Sequence, residues 1–337
     1  MHAAAVAAID IALWDLRSKA LGVPVYDLLG GQTRDYARCY CHVQPPDGPG
    51  GDGQAGIDAM AGYAREQVAA GWRFVRFAAG EGSHAERDGV YEQPRALRWT
   101  VEAFSALRDA LGPEVETCVD FHQRTTPAYA IQLARELAPM RPFFIEDPAR
   151  AENPAAFARL RQHIAVPIAT GEQIASKWEW RELIERDLID YCRVDLCICG
   201  GLTEARKVAG WCETHYIEQV PHNPLGPVST AACLHFDLAT PLFGVQASQP
   251  AASQPGCMLL HRRASRACPL LPLTGPGHRR AGARPGHAGW PTDSRQLCQP
   301  RIEADREACH TEQPESPHTR AKSRRSVRRS ARFRSRR

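Results

Sequence analysis

Three features of this 337-residue sequence predict an α/β fold with eight parallel strands closed into a barrel. Between residues 36 and 246 a short apolar run is followed repeatedly by a stretch of helical periodicity. Such alternation means parallel strands joined by right-handed crossovers. The units are nearly equal in length, which favours a closed barrel over an open doubly wound sheet. No glycine-rich stretch supports a dinucleotide site, since Gly200-Gly201 lacks the G-x-G-x-x-G spacing.

The first element is MHAAAVAAIDIALWDLRSKALG, residues 1–22. It has no basic leader and carries Asp10 and Asp15 inside its apolar stretch, so it reads as an amphipathic helix and not as a signal peptide. Ala8, Leu13, Leu16 and Leu21 are expected to meet a partner face. Strands follow at 36–43, 74–78, 115–120, 143–146, 167–170, 191–195, 217–220 and 243–246, each a short apolar run. Seven helical stretches lie between them, with start signals at Thr126-Pro127 and Asn153-Pro154. The expected organisation is a helical segment over 1–34, a barrel over 35–246 and a tail over 247–337.

Composition narrows the class. No apolar run approaches the roughly 18 residues that span a bilayer, so no membrane partner is expected. The 12 cysteines are dispersed through strands and helices, and Cys118, Cys192 and Cys233 sit in apolar contexts. They read as buried thiols of a cytoplasmic protein. Cys197 and Cys199 have no second pair to complete a zinc site. The formal charge of +4 hides an asymmetry, with the segment after Gln246 near +13 and the rest near −9. That segment is rich in Pro, Gly, Ala and Arg without periodicity and ends in RAKSRRSVRRSARFRSRR, so it is expected to be disordered.

Charged residues gather at the strand ends. Asp120 closes the third strand, Glu146 the fourth, and Glu172 follows the fifth, at steps of 26 residues. Asp195 ends the sixth strand and His222 the seventh. In a barrel these ends share one mouth. Each acid could cap a helix or pair with an arginine. Three on successive strands instead point to a hard cation, and oxygen-only ligands beside open positions suit Mg²⁺. Asp195 would fix the tautomer of His222, making it a competent base. In CVDFHQR, Asp120 and His122 stand two apart and are expected to share a strand face, with His122 protonating a leaving hydroxyl. Proton abstraction beside a carboxylate followed by loss of water is the implied chemistry.

The stretches AAIDIALWDLRSKALGVPVYDLLGG, VDFHQR, RPFFIEDP, PIATGEQ, VDLCICGGLTEARKVAG and VPHNPLGPVSTAACLH give the chain, from Met1 to Gln246, a family likeness. It resembles the mandelate racemase group of the enolase superfamily, most closely its galactonate dehydratase-like members. The resemblance implies a (β/α)7β barrel with Asp120, Glu146 and Glu172 as Mg²⁺ ligands. It also implies His222 as base, Asp195 as its partner and His122 as general acid. The reaction implied is dehydration of a sugar acid to a 2-keto-3-deoxy sugar acid, in a family whose intact members are commonly homo-oligomers. Mannonate dehydratases are also similar, and they suggest substrate-binding roles for Arg76 and Tyr91. The lysine pair of the racemases is absent, Arg76 and Ala78 standing in its place.

Two departures set further expectations. Residues 1–34 look like the end of a capping domain whose strand-rich part is missing. At the eighth strand the family's V-Q-E reads VQA, with Ala247 replacing a substrate-contacting Glu, and the resemblance is expected to stop there. A reading-frame shift near codon 246 accounts for that change, and little turnover is expected of this chain. The competing reading is a non-catalytic metal-binding barrel with a basic tail for nucleic acid. The tail has no aromatic interleaving, so no nucleic-acid partner is expected. The competing reading requires salt-sensitive binding that is lost when residues 250–337 are removed.

Overall fold

Each of the eight expected strands is present in the computed structural model, which describes residues 2–34, 36–43, 53–80, 86–87 and 90–247. They are β1 (Cys39–His42), β2 (Phe74–Ala78), β3 (Glu116–Asp120), β4 (Ile145–Glu146), β5 (Ile168–Thr170), β6 (Tyr191–Cys192), β7 (Glu218–Gln219) and β8 (Gln246–Ala247). All pair in parallel, in the order β8-β1-β2-β3-β4-β5-β6-β7. The two outer strands then meet. Gln219 bridges Phe243, Gly244 donates to the Gln219 carbonyl at 2.9 Å, and Ala247 donates to the Pro221 carbonyl at 3.2 Å. The barrel is closed.

Helices α3 (Gly53–Ala69), α4 (Gln93–Leu111), α5 (Pro127–Leu137), α6 (Pro154–His163), α7 (Lys177–Glu185), α8 (Leu202–Glu213) and α9 (Pro227–Ala239) connect successive strands. The capping signals act as read. Thr126 accepts from the Tyr129 amide and Asn153 from the Ala155 amide, each just before a proline at the first helical position. An extra antiparallel pair, Glu86–Arg87 with Val90–Tyr91, precedes α4.

The strands separate two apolar regions. Outward residues such as Val75, Phe77, Val119, Ile145, Ile168 and Val194 pack against the helices. Inward residues Tyr40, Phe74, Cys118, Phe144, Ala169, Val220 and Val245 fill the barrel. Two positions further along most of these strands the inward residue is polar: His42, Arg76, Asp120, Glu146 and His222. The side-chain period of two therefore stacks a polar layer on an apolar one at the carboxyl ends. Strand 8 keeps the column but ends in Ala247, buried and apolar.

The first helix docks differently from expectation. In α1 (His2–Leu21) the buried positions are Ala7 and Ser18, with Ile11 and Trp14 packed against the core. These lie at i, i+4, i+7 and i+11, one helical face. Ala8, Leu13, Leu16 and Leu21 are exposed. The reason is polar as well as apolar. Trp14 donates to the Thr203 hydroxyl at 2.8 Å, and the Asp10 carboxylate accepts from the Thr203 amide at 3.0 Å, capping α8. Gly201, at φ 92°, is where a Cβ would overlap Asp10.

Cys118, Cys192 and Cys233 are buried free thiols, as read. Among the described residues no helix is long and apolar enough to cross a membrane. The tail falls outside those residues, apart from Ala247, which pairs with Tyr40 inside strand 8.

His235 on α9 packs against Tyr26 of α2 (Val25–Leu28), ring centroids 5.5 Å apart. Burial lowers its pKa to about 4, with Asp15 opposing the shift weakly. The folded imidazole is therefore neutral where the unfolded one, titrating at about 6.5, takes up a proton. Stability conferred by this group is full above pH 6.5 and declines as pH falls toward 4. Urea denaturation across that range should show the decline, and His235→Phe should flatten its His235-dependent part.

Candidate active site

The polar layer holds two groups of side chains. In the first, Asp120 and Glu146 are fully buried and Arg76 nearly so. From β2 the Arg76 guanidinium contacts Asp120 Oδ2, and its Nε lies 2.9 Å from Glu146 Oε2. Arg193, just past β6 and wholly buried, places Nη2 2.6 Å from Glu146 Oε1. Burial alone would push the Glu146 carboxyl up, but Arg193 and then Arg76 overcome it and hold the group well below the usual range. Two carboxylates and two guanidiniums thus balance in a dry enclosure. The sequence reading weighed an arginine partner for each acid against a shared metal, and here Asp120 and Glu146 do face arginines.

His122 joins this group by a route other than the expected one. The strand ends at Asp120, and His122 lies in a left-handed turn at φ 49° and not on the strand face. The turn still brings the two together. Asp120 Oδ1 accepts from the His122 amide at 2.7 Å, and His122 Nε2 stands 2.8 Å from Asp120 Oδ2.

The second group is built on β5, β6 and β7. His222 Nδ1 lies 2.9 Å from Asp195 Oδ2, and Nε2 lies 3.2 Å from Glu172 Oε2. Backbone pairing runs past the formal strand ends, with the His222 amide on the Val194 carbonyl at 3.0 Å, and this sets His222 beside Asp195. Asp195 Oδ1 in turn accepts from the Cys197 amide at 2.7 Å, which fixes the carboxylate.

Three members were not read from the sequence. His42, ending β1, lies 3.0 Å from Arg76 Nη1, and burial followed by Arg76 pushes its pKa well down. Arg193 is two before Asp195, so both share the inward face. Asp147 is buried on Gln123 and Thr170, and burial, then Glu172 and Glu146, pushes its carboxyl up. The signal for the first two was position: each lies in an inward column. Tyr91 comes from a different element. It ends the small antiparallel pair, its hydroxyl over Gly80, where φ 77° leaves no room for a Cβ.

Asp120, Glu146 and Glu172 are an oxygen-only donor set, whose chemistry fits a hard divalent cation. Among the described residues no three acidic, histidine or cysteine side chains are gathered to hold one. Arg76 fills the place between Asp120 and Glu146, while Glu172 is turned to His222. A cation would take over the contacts that Arg76 now makes on the mouth side.

Residues 59–277 match the family described as enolase C-terminal domain-like, and residues 1–30 match the N-terminal domain of mandelate racemase / muconate lactonizing enzyme. The first match runs past Ala247, where the likeness was expected to stop. The chain is 39% identical over 236 residues to a D-galactonate dehydratase of Ralstonia pickettii, covering 70% of this chain and 58% of that protein. It is 37% identical over 263 residues to a D-mannonate dehydratase of Sphingomonas, covering 72% and 63%. This chain therefore spans about three fifths of the length of these relatives. Among solved structures, an enolase of Pantoea ananatis with bound D-gluconate and Mg superposes with a TM-score of 0.65 at 32% identity, covering 74% of this chain and 66% of that one.

Gly171 sets the position of Glu172. Its φ is 127°, and a Cβ there would fall 1.7 Å from the buried Trp180 ring. Strain and overpacking each cost about 1–3 kcal/mol. Gly171→Ala is expected to lose about 3 kcal/mol or more in urea denaturation, whereas Gly210→Ala, with open space at its Cβ, should not.

Proposed function

We propose that this chain, which belongs to the mandelate racemase / muconate lactonizing enzyme branch of the enolase superfamily, dehydrates a galactonate-like sugar acid to its 2-keto-3-deoxy product. The observation that carries the reading is the pair of histidines. His122 follows β3 and His222 follows β7, four strands apart in a ring of eight and so on opposite sides of the mouth. Each is held by its own carboxylate, Asp120 or Asp195.

A sugar acid between them would lose its C2 proton to His222 Nε2, which here faces Glu172 at 3.2 Å while Nδ1 is tied to Asp195. His122 would give a proton to the C3 hydroxyl as the C3–O bond breaks, so that water leaves. The C2–H electron pair becomes the C2=C3 bond of an enol, which ketonises to the 2-keto-3-deoxy acid. Asp120, Glu146 and Glu172 would hold Mg²⁺, which supplies positive charge to the substrate carboxylate while its α-proton is lost. Arg76, on the mouth side of Glu146, is placed to pair with an anionic substrate.

Mannonate is the second substrate considered, because relatives named for it are similar to this chain at comparable identity. The two-histidine arrangement favours galactonate. In D₂O with Mg²⁺, the chain is expected to form a 2-keto-3-deoxy acid from D-galactonate faster than from D-mannonate, as followed by proton NMR. The rate should be low, since Ala247 brings no carboxylate to strand 8. His222→Asn should reduce it by about 10²–10⁴. His122→Asn should retain exchange of the C2 proton while losing dehydration. No keto acid from either substrate would overturn the reading.

A further inference from the structure

Glu146 is clamped between two guanidiniums that differ in kind. Arg76, which also meets His42 and His122, takes Oε2 with Nε at 2.9 Å and reaches Oε1 with Nη2 at 3.4 Å. Arg193 approaches from within the barrel and takes Oε1 at 2.6 Å. Arg193 has no exposed surface. Its Nη1 donates to the Val220 carbonyl at 3.3 Å, and its guanidinium carbon lies 5.8 Å from the centroid of the Tyr40 ring. It is thus fixed against β7 and β1 while it holds β4. A group so enclosed presents no surface to solvent.

The geometry points to Arg193 as the positioning residue that presents Glu146 to a divalent cation at the mouth, an inference that rests on the metal-assisted reading above. It holds Oε1 at 2.6 Å, closer than the 3.4 Å at which Arg76 Nη2 reaches the same oxygen, so Oε2 is the oxygen it leaves to another partner. Arg76 is the partner that can give way, because its other contacts are on the mouth side with Asp120 and His42. If Arg76 moves aside, Glu146 remains charged and aimed. If Arg193 is removed, the buried carboxylate has no partner on the core side and can turn or draw Arg76 inward. Arg193 itself touches no reacting atom. It acts through Glu146, as outer partners of metal ligands do.

The test is Mn²⁺ binding to the full chain, measured by electron paramagnetic resonance and calorimetry, with circular dichroism to confirm folding. Arg193→Met should weaken Mn²⁺ binding by about 10–100-fold, the range typical for loss of an outer partner. Arg193→Lys keeps a charge but cannot fork between Glu146 and the Val220 carbonyl, so it should fall between, about threefold or more below wild type. Arg181→Met, on the exposed face of α7, should leave affinity unchanged. A folded Arg193→Met variant that binds Mn²⁺ within about twofold of wild type would overturn the positioning role and leave the metal-assisted reading standing. If Arg193→Met does not fold, Arg193→Lys decides, and wild-type affinity in that variant overturns the role. A wild-type chain that takes up no Mn²⁺ overturns the inference together with the reading beneath it.

Discussion

The structure depends on one electrostatic constraint, the burial of Asp120 and Glu146 at the carboxyl end of the barrel. An ionised carboxylate removed from water costs several kcal/mol unless a countercharge and hydrogen bonds are enclosed with it. Here the barrel encloses Arg76 and Arg193, and Glu146 stays ionised despite complete burial. The remaining polar groups are arranged around that balance. His42 lies against Arg76 and is held neutral by burial and by the guanidinium. Asp147 lies between Glu146 and Glu172 and is pushed toward its neutral form. An enclosure that shifts neighbouring carboxyls in opposite directions is suited to moving protons.

Backbone period delivers these groups to one place. Tyr40, Phe74, Cys118, Phe144 and Val220 make the apolar layer, and the residues two further on, His42, Arg76, Asp120, Glu146 and His222, make the polar one. A slip of one residue in β2 or β3 would exchange Arg76 or Asp120 for an outward apolar neighbour, Val75 or Phe77, Val119 or Phe121. Barrel closure therefore sets the chemistry as well as the core. The bridge between Gln219 and Phe243 closes the ring beside His222, so the strand 7 to strand 8 contact belongs to the site's framework.

The fold was legible because fully buried parallel strands must be short apolar runs, and the run at 74–78 coincides with β2 to the residue. Most other strands are shorter than their runs, since the ladder stops where the barrel opens. The docking face of α1 was not legible. Large side chains drew the reading to Leu13 and Leu16, whereas the buried positions are the small Ala7 and Ser18, and the contacts with α8 are made by Trp14 and Asp10. In the site, acids at strand ends were readable one by one. Arg193 and His42 were not, because arginine and histidine in a strand read as ordinary surface residues until the inward column is known. Tyr91 was read from its sequence proximity to β2, but the small strand pair that carries it was not foreseen; its hydroxyl lies over Gly80, just past β2.

Backbone strain also marks the mouth. Among the described residues six that are not glycine have positive φ. Arg141, Asp187 and Tyr216 lie where helices hand over to strands, at the far end, where a left-handed residue commonly ends a helix. His122, Gln123 and Asp147 lie just beyond β3 and β4, and nothing about ending a helix calls for them there. Each costs about 1–3 kcal/mol and persists only if neighbours over-determine it. They do. Asp120 accepts from the His122 amide, Gln123 donates from its amide to the Asp147 carbonyl at 2.9 Å, and the Phe121 amide donates to the Glu146 carbonyl at 2.9 Å. The carboxylate of Asp120 thus has two tasks, since it neutralises Arg76 and also holds the turn that carries His122. Replacing it with a neutral isostere would remove charge from the cage and loosen the histidine together. The coupling of those two effects separates a built site from a chance gathering of polar groups at the end of a barrel.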